Sequence, residues 1–427
     1  MGRTGVLQEV RLMRFESLLD RHERGELSQV EAAELLGVGE RTFRRWRDRF
    51  VEEGRDGLVD RRIGRPSGKR APEAELCRML GLYRAHYEGF TVKHFHEQLT
   101  KRHGYKLGYT VTKLRLHAAG LVRPAVKRSA HRKKRPRRPM VGMMLHQDGS
   151  RHAWLEGQPA LDLIVTMDDA TSAIYSAFLV AEEGTASSFR GLRETVAAHG
   201  LFCSLYTDRG SHYFHTPKAG ERVSKTHATQ VGRALAQLGI EHIAAYSPQA
   251  RGRSERAFRT LQDRLPKELR LAGIATVEAA NRWLAETYIA QHNAAFAVAP
   301  EQAGTGFVPA TADQWRDVLC VREERIVGAD NTVTWRNRAL QIPESPLRPH
   351  FVKARVRVHE DPDGGVSIHL GPHRLADYDA QGAMIGPQNP PRPPLARRPP
   401  AARGMPRAAA AEKRSIHELR NPANLIS

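Results

Sequence analysis

The chain has 427 residues, long enough for two to four domains with cores of their own, so a single-domain reading fits poorly. Its 67 Lys+Arg against 47 Asp+Glu, a net charge of +20, favour a polyanionic partner, because phosphate contacts release counterions and dominate nucleic-acid affinity. Cys77, Cys203 and Cys320 form no disulfide set, no apolar run spans a bilayer, and no lipidation signal or signal-peptide core is visible, which argues against secreted and membrane classes and predicts a soluble cytoplasmic protein.

In chain order, residues 1–60 predict a helix-turn-helix domain. Leu12, Phe15, Leu18 and Leu19 form one apolar stripe, and Ser28 with Glu31 three residues later predicts a capping box at the start of a second helix. A Leu-Gly-Val-Gly turn at 36–39 precedes Phe43, Trp46 and Phe50, which share a face. The small Ala33 and Gly37 let two helices cross closely, and Val38, Phe43 and Trp46 seat a recognition helix. Its outer face carries Arg41, Arg44, Arg45 and Arg47, a residue type that reads guanine edges or holds phosphates in the major groove. The alternative is the solvated face of an ordinary three-helix bundle.

Residues 61–71, with Arg65 and Lys69, read as a basic linker that either tracks a phosphate backbone or simply stays solvated. Residues 72–124 predict a second helix-turn-helix or winged-helix-like domain. Leu76, Leu80, Tyr83 and Tyr87 share one face; Thr91 caps a helix with Val92, Phe95 and Leu99; Thr110 caps another with Val111, Leu114 and Leu121. A helical spacer is the alternative. His94 and His96 lack Cys partners and read as core or surface histidines. Residues 125–139, with Arg132, Lys133, Lys134 and Arg135, form the densest basic run and read as a DNA-contacting linker.

From 140 to 310 the texture is α/β. Asp148 and Asp208 follow the short apolar runs 141–145 and 201–206, so both carboxylates are expected near strand ends. Runs 161–167, 174–180 and 243–246 predict further strands. Helices are expected through Phe189, Leu192 and Val196, and through Val231, Leu235 and Leu238. Glu255 lies one turn before the stripe Phe258, Leu261, Leu265, Leu269, so one helix face could deliver its carboxylate to the strand ends. Pro266 is expected to kink or end that helix. Residues 247–254 predict a mobile loop in which Arg251 and Arg253 approach phosphate, and His212 reads as a surface histidine. Three strands, helix, strand, helix, strand, helix is the order of an RNase H-like mixed sheet with helices on both faces.

Three carboxylates on separate elements suit Mg²⁺, a hard ion that takes one or two carboxylates plus substrate phosphates. Two such ions roughly 3.5–4 Å apart activate a nucleophile and stabilise a leaving oxygen in phosphoryl transfer. Taken singly, Asp208 also reads as a turn residue and Glu255 as an ordinary helix N-terminal acid.

The surrounding residues carry more. His146-Gln147-Asp148-Gly149-Ser150 with Trp154 following, Tyr206-Thr207-Asp208-Arg209-Gly210-Ser211, and the run 247–258 from Ser247-Pro248-Gln249 through Glu255 to Phe258 resemble the three acidic blocks of DDE transposases related to retroviral integrases. Residues 262–270 and 291–300 extend the likeness, which covers most of the chain and is nearest to ISNCY-type insertion-sequence transposases. The resemblance implies that Asp148, Asp208 and Glu255 are the catalytic metal ligands. Asp148 and Asp208 would share one Mg²⁺, and Asp148 and Glu255 a second, with Mn²⁺ able to substitute. It implies that Asp168 and Asp169 belong to a turn, and that the two helical units grip the terminal DNA repeat. The interval between Asp208 and Glu255 is longer than is usual among integrase relatives, with the extra length expected near 213–226.

Residues 311–387 turn strand-like after a short helix at Trp315, with strands at 332–335, 339–342, 352–358 and 365–370 and a turn at 361–365. Val alternates with Lys and Arg in the third, giving one apolar and one basic face. Residues 388–427 are Pro-, Arg- and Ala-rich and predict a disordered tail. The expected fold class is multidomain α+β: helix-turn-helix units, a central RNase H-like α/β catalytic core, and a C-terminal SH3-like small β-barrel. The expected function is a DNA transposase that binds the terminal inverted repeats of an insertion sequence, cleaves the 3′ ends by metal-dependent hydrolysis and joins them to target DNA. Its partners would be double-stranded DNA and further copies of itself, as a homodimer or higher oligomer, in the bacterial cytoplasm at the nucleoid. The rival readings are a helix-turn-helix regulator with an inactive, domesticated core, and a structure-selective nuclease.

Overall fold

The computed structural model describes residues 3–59, 70–124, 136–216, 222–224, 226–246 and 252–386, in two compact units comprising residues 1–133 and 134–427. The expected tail at 388–427, most of both basic linkers and most of the 247–254 loop lie outside the described residues.

In the first unit, α1 (Arg3–Glu23), α2 (Gln29–Leu36) and α3 (Glu40–Glu53) enclose Phe15, Leu19, Ala32, Ala33 and Phe43. The predicted capping box forms: the Ser28 amide donates to Glu31 Oε2 at 2.8 Å and the Glu31 amide to Ser28 Oγ at 3.2 Å. Gly37 ends α2 at φ 77°, a left-handed conformation that costs other residues about 1–2 kcal/mol, so glycine is what permits the tight turn into α3. Phe15 is the hub, its ring 5.4 Å from Phe43, 5.8 Å from Trp46 and 5.9 Å from Phe50.

A second trio, α4 (Glu73–His86), α5 (Val92–His103) and α6 (Tyr109–Ala118), buries Leu76, Met79, Tyr83, Phe95, Leu99 and Leu116. Its last helix departs from expectation. It starts at Tyr109 on Gly108 rather than on a Thr110 cap, and it buries Thr112 and Leu116 while Leu114 is 61% exposed. Thr112 Oγ1 donates to the Tyr105 hydroxyl at 3.3 Å, and that bond lets a threonine occupy the inward position. His94 stacks on Phe90 in the core, and His96 hydrogen-bonds the Leu107 carbonyl at 3.1 Å, as expected of structural histidines. Among the described residues of this unit there is no strand.

The second unit contains a five-stranded sheet in the order β3-β2-β1-β4-β5, formed by β1 (Leu145–His152), β2 (Leu161–Asp168), β3 (Ile174–Val180), β4 (Ser204–Thr207) and β5 (Glu241–Ala244). β1, β2 and β3 pair antiparallel, whereas β4 runs parallel to both β1 and β5. Helices α7 (Thr185–His199) and α8 (Gln230–Gln237) cover one face through Phe189, Leu192, Val196, Val231 and Leu235. α9 (Gly252–Leu271) covers the other with the predicted stripe Phe258, Leu261, Leu265 and Leu269. α10 (Val277–Trp283), a π-turn at Leu284–Tyr288 and α11 (Ile289–Phe296) continue that layer. This strand order, with three antiparallel strands followed by parallel additions and helices on both faces, is the predicted RNase H-like arrangement.

Three expectations change here. Asp148 lies inside β1 rather than at its end, because Val141 is taken up by a bridge to Thr305, and Leu201 likewise pairs with Val308 ahead of β4. Pro266 does not end α9, since Leu265 and Leu269 hold the following turn against the core. His212 is not a surface residue: its side chain is 16% exposed.

After α12 (Ala312–Trp315), a second five-stranded antiparallel sheet has the order β12-β11-β10-β9-β6. It comprises β6 (Val321–Ile326), β9 (Arg355–Glu360), β10 (Val366–Leu370), β11 (His373–Tyr378) and β12 (Met384–Ile385). The hairpin β7 (Thr332–Trp335) and β8 (Arg338–Gln341) turns through Arg336 and Asn337, both at positive φ, the type I′ geometry that matches strand twist. Val333, Trp335 and Leu340 of the hairpin share a core with Val356, Val358 and Ile368 of the sheet.

Candidate active site

β1 and β4 are neighbours in parallel register, Leu145 beside Leu205 and His146 beside Tyr206. Carried two residues further, the same register sets Asp148 level with Asp208, the residue after the end of β4. Residues two apart on a strand share a face, and the contact between the His146 and Tyr206 rings at 5.2 Å marks which one. Both aspartates line a narrow crevice with His146, Gln147, Tyr206, Thr207 and Ser254. Asp148 is buried; Asp208 is half-buried, its Oδ1 accepting the Gly210 amide at 2.8 Å, which fixes the rotamer.

The helix bearing Glu255 docks on that face. Gln262 Nε2 of α9 donates to Ser150 Oγ of β1 at 2.9 Å, and Asp148 sits two residues before Ser150 on the same side of the strand. Glu255 precedes Gln262 by two turns, about 10 Å along the helix, while Asp148 precedes Ser150 by about 7 Å. Ser254 lines the crevice, so the start of α9 reaches it at the residue before Glu255. The Glu255 side chain is exposed, and among the described residues the carboxylates of Asp148, Asp208 and Glu255 are not drawn within 4.8 Å of one another as a set.

The start of α9 is tied down by Asp169. This carboxylate accepts His146 Nε2 at 2.8 Å and the Arg138 amide at 2.7 Å, and pairs with Arg253, two residues before Glu255. Burial is the largest influence on Asp169 and would raise its pKa, but the bonds from His146, Arg138 and Arg253 together hold it far below the usual carboxylate range. Asp168 accepts the Gly142 amide at 3.0 Å and the Thr171 amide at 2.8 Å. Asp169 thus opens the expected turn, whereas Asp168 is the last residue of β2, paired with Leu145, and caps the turn from there; Asp169 additionally joins β1 to α9.

Behind the crevice, Gln147 donates to Thr166 Oγ1 and the Ser188 carbonyl and accepts the buried Tyr213 hydroxyl at 3.1 Å. Gly191 makes room for it: a Cβ there would lie 2.7 Å from Gln147 Nε2. Burial, then the negative charges of Glu183, Asp148 and Asp208, push the Tyr213 hydroxyl well above its usual pKa, so it remains a donor. Glu183 is a fourth acid that the sequence reading does not single out. It lies over Gly149, where any Cβ would strike its carboxylate, and 3.6 Å from His212. The glutamate pair after β3 gives no signal in the sequence, because its approach to Gly149 is made only by the fold.

Residues 18–82 match the Winged helix-turn helix family. The chain is 33% identical over 369 residues to "Putative transposase y4bF" of Sinorhizobium fredii, spanning 83% of this chain and 79% of the relative. The chain belongs to the transposase family. This transposase is also 25% identical over 383 residues to the transposase for insertion sequence IS1202 of Streptococcus pneumoniae, covering 81% of each. Solved structures similar to it include the HTLV-2 integrase catalytic core domain in complex with magnesium, at TM-score 0.27 and 14% identity over 35% of this chain and 88% of that one. A simian T-cell lymphotropic virus intasome in complex with PP2A regulatory subunit B56 gamma gives 0.30 and 14% over 62% and 85%. At such scores the fold assignment stands on the transposase's own strand order.

Of the basic residues singled out in the transposase sequence, Arg41, Arg44 and Arg45 are exposed on α3, Arg44 pairing with Glu40 at 3.1 Å. Arg47 turns back to Gln29 Oε1 at 3.1 Å. Arg253, expected to approach phosphate, instead faces inward with its side chain 12% exposed, because the buried Asp169 carboxylate needs a cation. Arg65, Lys69, Arg132, Lys133, Lys134, Arg135 and Arg251 lie outside the described residues. No helix among the described residues is long and apolar enough to cross a membrane.

Proposed function

We propose that this transposase binds the terminal inverted repeats of an insertion sequence, hydrolyses the 3′ ends and joins them to target DNA. Asp148, Asp208 and Glu255 are its catalytic, metal-holding residues. The observation that supports the reading most is the level placement of Asp148 in β1 and Asp208 just past the end of the adjacent parallel β4, facing the helix whose first turn carries Glu255. Oxygen donors alone on three separate elements fit Mg²⁺ or Mn²⁺. A bound pair of ions there would activate the attacking oxygen and stabilise the leaving one.

The chain's own residues supply position. Gly210 fixes the Asp208 carboxylate, the Asp169–Arg253 pair sets the start of α9, and the exposed Glu255 is free to close on the crevice as a DNA phosphate enters. In the first step a water oxygen bonds to phosphorus as the bond to the element's 3′ oxygen breaks, leaving a 3′-hydroxyl on the element and a 5′-phosphate on the flank. In the second, that hydroxyl attacks a target phosphodiester and releases a target 3′-hydroxyl. Bonds broken and formed balance without a covalent protein intermediate or an external energy source.

The helix-turn-helix units at 1–60 and 72–124 would hold the repeats, Arg41, Arg44 and Arg45 facing DNA. The core at 140–310 performs the chemistry, and 311–387, as an SH3-like small barrel, contributes non-specific DNA binding or assembly. Pairing two ends calls for a dimer or larger assembly on DNA. A strand-transfer assay with Mg²⁺ or Mn²⁺ and a duplex carrying the flanking repeat tests the reading. Joined product is expected from the native protein, with loss of at least about 10³-fold for Asp208→Asn or Glu255→Gln and end binding preserved. Strand transfer retained by Asp208→Asn would remove the assignment, and sequence-specific binding without any product would favour the regulator.

A further inference from the structure

β9 alternates cleanly until its fifth residue. Val356 and Val358 enter the C-terminal core and Arg355 and Arg357 face outward, yet His359, on the arginine side, is only 5% exposed. Ser367 and His369 of β10, on the same face, are also buried. What covers them is the segment leaving the catalytic core: β6 pairs Arg322 with His359, and Asp317 lies just upstream.

Neither ring nitrogen of His359 has a hydrogen-bond partner. Buried imidazoles normally satisfy at least one nitrogen, and an unsatisfied buried polar group costs about 1–3 kcal/mol. Beside it, the ring of His369 stacks at 4.0 Å with an interplanar angle of 22°. His369 Nε2 is bonded to Ser367 Oγ at 2.9 Å, an arrangement that fixes the ring and leaves Nδ1 to ligate. One ligand atom each from Asp317, His359 and His369 lie within 4.8 Å of one another. The Asp317 segment is itself held, its carbonyl accepting Cys320 Sγ and Arg322 Nε, both at 2.9 Å.

We propose that Asp317, His359 and His369 form a binding site for a divalent transition ion, Zn²⁺ foremost, that clasps the chain leaving the catalytic core to the C-terminal sheet. Two imidazoles and one carboxylate with a position left for water are an established zinc donor set. They do not suit Mg²⁺, which prefers oxygen. Arg322, Arg357 and Arg233 bring positive charge to the surroundings of His359. Those arginines oppose a cation, but each is engaged elsewhere: Arg322 on the Asp317 carbonyl, Arg233 on the carbonyls of Val318 and Cys320, Arg357 on that of Gly371. The site is separate from the three acids proposed for catalysis and stands whether or not they are active.

The test uses the full chain stripped with chelator, given Zn²⁺ and passed through gel filtration, with retained metal measured by mass spectrometry and stability by thermal unfolding. The native protein and Asp208→Asn should each retain one equivalent of Zn²⁺ and melt several degrees higher with it. Asp317→Asn and His369→Ala should lose both effects. His359→Leu should lose the metal while its metal-free melting temperature stays level or rises, since an unsatisfied buried polar group has been replaced. Co²⁺ in place of Zn²⁺ should give visible absorption bands that vanish in the same three variants. Absence of retained metal in the native protein, retention surviving both Asp317→Asn and His369→Ala, or loss in Asp208→Asn would each overturn the proposal.

Discussion

At Asp169, groups from three parts of the chain meet: His146 from β1, the Arg138 amide ahead of it, and Arg253 at the start of α9. Removing the carboxylate would leave a guanidinium and an imidazole without their partner in the interior. Breaking such a buried pair from one side typically costs about 3–5 kcal/mol. Asp169→Ala is therefore expected to lower the unfolding free energy by that order, read as a lower urea midpoint, and to reduce strand transfer while repeat binding, measured by gel shift, persists. An unchanged midpoint would refute the anchoring role. Buried histidines give a pH dependence of known sign. Burial, helped by Arg264 for His292 and by His212 for His242, lowers both from 6.5 to about 4. Below 6.5 the unfolded chain takes up protons that the folded chain refuses. Thermal stability should thus fall progressively from about pH 6.5 to 4, and a melting temperature flat across that window would contradict the buried, neutral state.

The elements show where local signals and packing part company. α9 runs through Pro266, which removes the amide that would bond the Gln262 carbonyl and whose ring crowds the preceding turn. The helix persists because Leu261, Leu265 and Leu269 lie flat in the core and Lys267 pairs with Asp263 across the same turn at 2.6 Å. Pro266→Ala should accordingly raise stability, by about 1–3 kcal/mol, read as a higher melting temperature. A decrease would mean that the ring itself is needed for packing. In α2 the agreement runs the other way: the Ser28–Glu31 box was legible because both partners are three residues apart and need nothing distant. The inward face of α6 is not legible locally, since the Tyr105 hydroxyl that lets Thr112 turn inward is not visible from helical periodicity.

At the scale of the whole molecule, a charge of +20 has to be placed before it explains anything. Several candidate cations are already engaged, Arg253 by Asp169, Arg44 by Glu40 and Arg47 by Gln29. Arg41 and Arg45 remain exposed on α3 and are the described residues best placed to meet phosphate or base edges. If they do, the double variant Arg41→Ala/Arg45→Ala should weaken repeat binding and reduce the slope of log K against log salt by about 2, one for each lost phosphate contact. An unchanged slope would assign α3 a structural role only.

The sequence by itself determined the two helical units, the order of strands and helices in the central core, the apolar stripe of α9 and the three acidic blocks. These depend on neighbours three, four or two residues apart and on short local words. It also conveyed family membership, which the transposase relatives bear out. Tertiary structure alone decided that Asp148 lies within its strand and level with Asp208, since strand register is set by pairing sixty residues away. It decided too that Arg253 turns inward to a buried carboxylate, that Glu183 reaches over Gly149, and that His359 and His369 meet Asp317. Each of those relations joins residues whose separation along the chain carries no periodic signal, so only the folded packing brings them into contact.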